Sequence, residues 1–160
     1  MDGEKSVLLR YLRAQRAVVL AVLDGLSEAA LTTSVLPSGW TPLGMVEHLG
    51  YAERYWFQEI VTGTADPVAW PDDDHAPLTT PRSPEVVFAF YRHQCARSDE
   101  IFAATPLVTP CRGRHPDLPE AEVGDLRGVV LHMTEETARH AGQLDVVREL
   151  IDGRTGLGPR

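Results

Sequence analysis

The sequence predicts an all-α protein of 160 residues, a four-helix bundle with long crossover loops. Four long segments repeat apolar residues at three- and four-residue spacing, the mark of a helix with one buried face. No stretch alternates apolar with polar residues as a half-buried strand does, and no internal repeat is present. The length suits one domain with a full core and is short for two, so residues 1–160 are read as a single domain.

The first helix is expected over about residues 5–26, where Leu8, Tyr11, Leu12, Gln15, Val18, Val19, Val22 and Leu26 recur on one face. Gly25, Ser27, Pro37, Ser38 and Gly39 then break the pattern, although SEAAL can add a short turn of helix. Thr41 and Pro42 open the second helix, about residues 42–61. The threonine hydroxyl can accept a backbone N–H, and proline lacks only an N–H that would have no partner there. From Thr62 to Pro84, five of the twelve prolines and the acidic run 72–74 replace periodicity, which argues for a long surface crossover. Ser83 and Pro84 repeat the opening signal. Val87, Phe90, Tyr91, Gln94, Ser98 and Ile101 then mark a third helix over about residues 84–104, stopped by Pro106. A second proline-rich loop leads to the last helix, about residues 124–152, which Gly153 closes as a C-cap.

Composition excludes several classes of partner. The formal net charge is -8, from 23 acidic and 15 basic residues, and no Lys/Arg cluster is dense enough to track a phosphate backbone, so nucleic acid is not an expected partner. No apolar run approaches the roughly 20 residues that cross a bilayer, and the opening MDGEKSVLLRYLRAQR lacks the pattern of a secretory signal. A cytoplasmic location with no membrane partner is the expectation. Cys95 and Cys111 belong to no metal-binding spacing and are read as reduced thiols.

The last helix carries the chemistry. Val129, Met133, Thr137, Leu144, Val147 and Ile151 trace its inward stripe, and Glu136 and His140 fall in the same angular band. A carboxylate in such a place requires a counter-charge, hydrogen bonds or a metal. Residues four apart lie one turn apart, about 6 Å along the axis, so Glu136 with His140 or His132 with Glu136 can converge on one ion. His132 and His140 are two turns apart, too far to share one. His48 is the best candidate for a third ligand, two turns into the second helix beside Met45, Ala52 and Tyr55. His93 lies off the apolar stripe of its helix, while His75 and His115 fall in loops. Spacing alone equally allows Glu136 and His140 to face solvent or to pair with Arg139, Arg148 or a tyrosine.

Trp40-x7-His48 at the start of the second helix, together with E136-xxx-H140-A-G-Q143 in the last, resembles the DinB and maleylpyruvate isomerase superfamily of metal-binding four-helix bundles. LRAQRAVVLAVLDGLSEAAL, PSGWTPLGMVEHLGYAERYWF and LHMTEETARHAGQLDVVRELIDG further resemble its actinobacterial branch related to the mini-circle proteins. This resemblance implies His48, Glu136 and His140 as metal ligands and moves His132 into the space behind them. It favours zinc, with nickel or iron as other occupants, although two imidazoles and a carboxylate suit catalytic zinc and non-haem iron alike.

The resemblance also implies chemistry on a low-molecular-weight thiol, mycothiol or bacillithiol, which a neighbouring zinc holds as thiolate. The leading expectation is a metal-dependent thiol S-transferase acting on a small electrophile. Gln143 is placed to hydrogen-bond thiol, water or a ligand carboxylate, and Tyr51 and Tyr55 can do so from the second helix. Maleylpyruvate isomerisation is not expected, because the superfamily's isomerases carry a further C-terminal domain and this chain stops about ten residues past its last helix. The competing readings are a non-catalytic metal-binding or stress-response bundle and a metal-assisted hydrolase, the latter disfavoured because ligation removes Glu136 as general base. Trp56, Phe57 and Trp70 are candidates for the contact patch of a homodimer.

Overall fold

Side-chain caps start three of the helices. Ser27 accepts from Ala30 N, Thr41 from Gly44 N and Asp125 from Gly128 N. The computed structural model describes residues 3–64, 76–115 and 123–156. Its helices are α1 (Gly3–Leu23), α2 (Glu28–Thr32), α3 (Pro42–Arg54), α4 (Pro84–Ala104) and α5 (Leu126–Asp152), and α3 runs on as a π-helical segment, Tyr55–Val61. Among the described residues there is no strand, only a single antiparallel bridge between Pro110 and Asp125. The all-α bundle is therefore as expected, and SEAAL does form a short helix. Ser83 sits at the N-cap of α4 without a side-chain cap bond. Gly153 closes α5 at φ 78°, a left-handed conformation that suits glycine.

Long-range contacts give the helix directions. Glu4 pairs with Arg127 near the starts of α1 and α5, and Arg148 donates to the Val22 and Asp24 carbonyls near their ends, so the two run parallel. Leu12 clusters with Trp56 and Phe57, whereas Val19 and Val22 cluster with Leu43 and Val46, which sets α3 antiparallel to α1. Helix α4 runs parallel to α3. A Cβ on Gly50 would lie 2.7 Å from the Phe90 ring, so only glycine admits this closeness, and Ser98 Oγ donates to the Glu53 carbonyl further along. The order is thus up, down, down, up, and the parallel step from α3 to α4 is what requires a long crossover. The acidic run 72–74, His75 and Trp70 lie outside the described residues.

The core has two apolar halves. One gathers Leu9, Leu12, Trp56, Phe57, Phe102 and Met133, and the other Val19, Leu43, Leu49, Val87, Tyr91 and Leu144. Buried Arg16, Glu53, Ser98 and Thr137 fall between them along their helices. The Arg16 guanidinium forks onto Glu53 with two 2.7 Å bonds and reaches Asp99 through a third of 2.7 Å. Burial opposes its charge, but the Glu53 carboxylate outweighs burial and raises its pKa.

Three sequence expectations need correction. Helix α1 buries Leu9, Leu12, Arg16, Val19, Val22 and Leu23, while Tyr11 and Val18 face solvent. The face is rotated because a paired arginine occupies it. The helix also ends at Leu23 rather than Leu26, where Gly25 turns the chain at φ 76°. Trp56 and Phe57 are buried, so they supply no dimer patch.

Candidate metal centre

Helix α3 descends as α5 ascends, which brings residue 48 of one level with residues 136–140 of the other. His48, Glu136 and His140 each offer a ligand atom, and the three atoms lie within 4.8 Å of one another. The His140 Nε2 is 2.8 Å from Glu136 Oε1, and His48 Nε2 approaches the same oxygen at 3.4 Å. The two imidazoles meet edge to face, with centroids 5.1 Å apart. All three side chains are largely buried yet keep some solvent contact.

The polarity of this cluster follows from its bonds. His140 Nδ1 lies 2.7 Å from Gln143 Oε1, an acceptor, so Nδ1 carries a proton there. With Nε2 also donating to Glu136, the ring is an imidazolium in the metal-free cluster. Burial works against that charge, but the bonds to Glu136 and Gln143 outweigh it and hold the His140 pKa above its ordinary value. Hydrogen bonds from His140 and His48 in turn hold Glu136 well below the usual carboxylate range, against the opposing effect of burial.

This donor set fits a divalent cation. Ligands about 2.1 Å from a tetrahedral ion lie roughly 3.4 Å from each other, close to the separations of the Glu136 oxygen from both imidazoles. Gln143 fixes the tautomer that frees Nε2, the nitrogen facing the other two donors, once its proton leaves. Gln143 thus supports His140 through its amide oxygen. Arg139 approaches Glu136 only at 4.0 Å and bonds Glu135, and Arg148 is committed to Asp152 and the Val22 and Asp24 carbonyls. Neither satisfies Glu136 as the non-metal reading required.

The remaining candidates separate. His132 lies one turn before Glu136, and its ring meets Trp56 at 4.3 Å between centroids. Burial lowers its pKa, while the fields of Glu136 and Glu135 oppose that shift. His115, read as loop surface, stacks on Trp56 at 5.2 Å with its plane only 13° away. Tyr55 joins the same group against Trp56 and His115, whereas Tyr51 packs on Phe90. His115 carried no sequence signal. It arrives because the loop's Arg112 and Gly113 N–H groups bond the Ile60 carbonyl at the end of the π-helical segment. His93 is exposed on α4, and His75 lies outside the described residues. Burial pushes Cys95 up to about 12 and Cys111 up to about 11, so neither thiol ionises near neutrality.

The mycothiol-S-transferase family model matches residues 7–153, a span that contains every residue of this cluster. The chain belongs to the mycothiol-S-transferase family. This family is DinB-like, in agreement with the resemblance carried by the helix sequences. No curated protein sequence matches the chain. In this member of the mycothiol-S-transferase family, no described helix is long and apolar enough to cross a membrane.

Proposed function

We propose that the protein is a metal-dependent S-transferase that joins mycothiol to a small electrophile. The observation that carries this reading is the convergence of His48, Glu136 and His140 within 4.8 Å, in a chain of the mycothiol-S-transferase family. Zinc is the proposed ion, since it accepts imidazole nitrogen and carboxylate oxygen and three protein ligands leave a position open. When bound, it supplies Lewis acidity that lowers a thiol's pKa and presents sulfur as thiolate.

The chain's own residues do the rest. Gln143 orients His140, Glu136 brings the one negative charge, and His48 completes the set from the opposite helix. The reacting sulfur comes from outside, because Cys95 and Cys111 stay protonated. Such chemistry belongs in a reducing compartment, consistent with a cytoplasmic protein acting as a single domain, alone or as a homodimer.

The test is metal analysis of wild type and His140→Ala, followed by transfer of mycothiol to a fluorogenic alkylating agent. Metal-loaded wild type is expected to be active, and His140→Ala to fall to background with its metal lost. A wild type that takes up no divalent metal, or a variant as active as wild type, overturns the proposal. Activity with bacillithiol in place of mycothiol would reassign the thiol.

A further inference from the structure

The triad leaves one step of thiol chemistry without an owner. A free thiol with a pKa of about 8.5 is protonated at neutral pH, so a site that binds it as thiolate must dispose of a proton. Glu136 and His140 are engaged with each other, and His140 spends its other nitrogen on Gln143. Among the described residues around the cluster, His132 keeps an imidazole that no hydrogen bond engages.

We infer that His132 is the proton acceptor for the incoming thiol, an assignment that rests on the S-transferase reading above. The geometry supports it. A step of four residues carries the chain one turn and about 40° further round the helix, so His132 and Glu136 stand on the same flank of α5. His132 is half-buried and hydrogen-bonded to no described residue, while one ring face is held by Trp56 at 4.3 Å. The Trp56 ring thus packs against the imidazole, and no hydrogen bond to a described residue engages its nitrogens. Trp56 is itself clamped by Tyr55 and His115, so the ring that orients His132 has little freedom.

The surrounding charges suit the task. Glu135, Glu136 and Arg139 face His132 from its own helix and His115 faces it from the loop, with Trp56 and Tyr55 on the side of α3. Burial works against the charged form and keeps the free imidazole neutral, the form that can accept, while the exposed Glu135 carboxylate favours the imidazolium once it forms. In the step itself the S–H bond breaks, sulfur keeps the electron pair, and the proton passes to the unprotonated nitrogen of His132. When the thiolate then opens an epoxide, the C–S bond forms, the C–O bond breaks, and the imidazolium returns the proton to the alkoxide.

Proton counting tests this without reference to turnover. Mycothiol is titrated into metal-loaded protein by calorimetry at pH 7, in two buffers of different ionisation enthalpy. Wild type is expected to release close to no proton, and His132→Gln about one per thiol bound, the proton that the thiol loses on becoming thiolate. His93→Gln, on the exposed side of α4 and away from the cluster, should match wild type. Equal release by wild type and His132→Gln overturns the inference. Absence of mycothiol binding to metal-loaded wild type overturns the S-transferase reading itself, and that result needs no variant. If His132→Gln fails to fold, NMR of the wild-type histidine rings replaces it. The His132 signals should move to imidazolium positions on thiol addition, and unmoved signals overturn the inference.

Discussion

Replacing Glu136 with glutamine preserves the side chain's shape and removes the only negative charge among the three converging donors. In the metal-free protein the variant gives up one charge-assisted bond, from His140 at 2.8 Å, while the 3.4 Å approach of His48 contributes little at that length. The expected loss is about 1–2 kcal/mol. Metal binding enlarges the difference. Loss of the anionic donor in a largely buried site should cost about 4 kcal/mol of affinity, roughly a thousandfold. At free zinc 1,000 times its own Kd, wild type gains about 4.1 kcal/mol of stability, and the variant at the same zinc gains only about 0.4 kcal/mol. For a chain of this size 1 kcal/mol moves Tm by roughly 2–4 °C, so zinc should raise wild type by about 8–16 °C and Glu136→Gln by less than about 2 °C. Thermal unfolding followed by circular dichroism, with zinc or with chelator, reads both numbers. Equal zinc shifts in the two proteins would refute the assignment of Glu136 to the metal, and no shift in wild type would refute the metal site as a whole.

Three further outcomes follow from the same contacts. Gln143→Ala should leave folding intact, since Gln143 is exposed, yet weaken zinc binding by roughly 10–100-fold because His140 loses the acceptor on Nδ1; competition with a chromophoric chelator measures it. In metal-free protein, Glu136 has a lowered pKa and should stabilise fully above about pH 4.5 and progressively less as pH falls, whereas the raised His140 should stabilise below about pH 6.5 and lose its effect as pH rises through its folded value. Zinc affinity should run the other way across neutrality, rising with pH as His140 gives up its proton, and urea unfolding with and without zinc between pH 5 and 8 separates the two trends. Glu53→Gln should cost about 3–5 kcal/mol by leaving buried Arg16 under-compensated, while Arg16→Met with Glu53→Met should cost much less; equal losses in single and double variants would show that packing, not charge, sets the penalty.

The parts of the fold that were legible in the sequence are those fixed by local chemistry. Thr41 before Pro42, Ser83 before Pro84 and Gly153 after the last turn marked helix ends to within a residue or two. Spacing marked Glu136 with either His140 or His132 and offered His48 from a facing helix, and the family resemblance chose His48, Glu136 and His140, whose ligand atoms the structure brings within 4.8 Å of one another. What escaped was decided across helices. No period in α1 announces that Arg16 is buried, because only Glu53 and Asp99, 37 and 83 residues away, make burial tolerable. His115 lies in a proline-rich loop and becomes part of the site only through backbone bonds to the Ile60 carbonyl.

The same distinction explains why the donor types stood out in the spacing while the reaction entered only through the family resemblance. A metal ion imposes its own spacing on its donors, so a one-turn step on α5 and a facing histidine on α3 are visible as pattern. A proton acceptor obeys no such rule and is recognised by what it lacks. His132 emerges from the described histidines because Gln143 takes His140 Nδ1, Glu136 takes Nε2, and Trp56 packs on the His132 ring without occupying a nitrogen. Antiparallel packing of α3 on α5 makes this division of labour possible. It sets residue 48 against residues 136 and 140 on one level and residue 56 against residue 132 on the next, so the candidate metal donors and the imidazole packed on Trp56 lie on adjacent levels of the bundle.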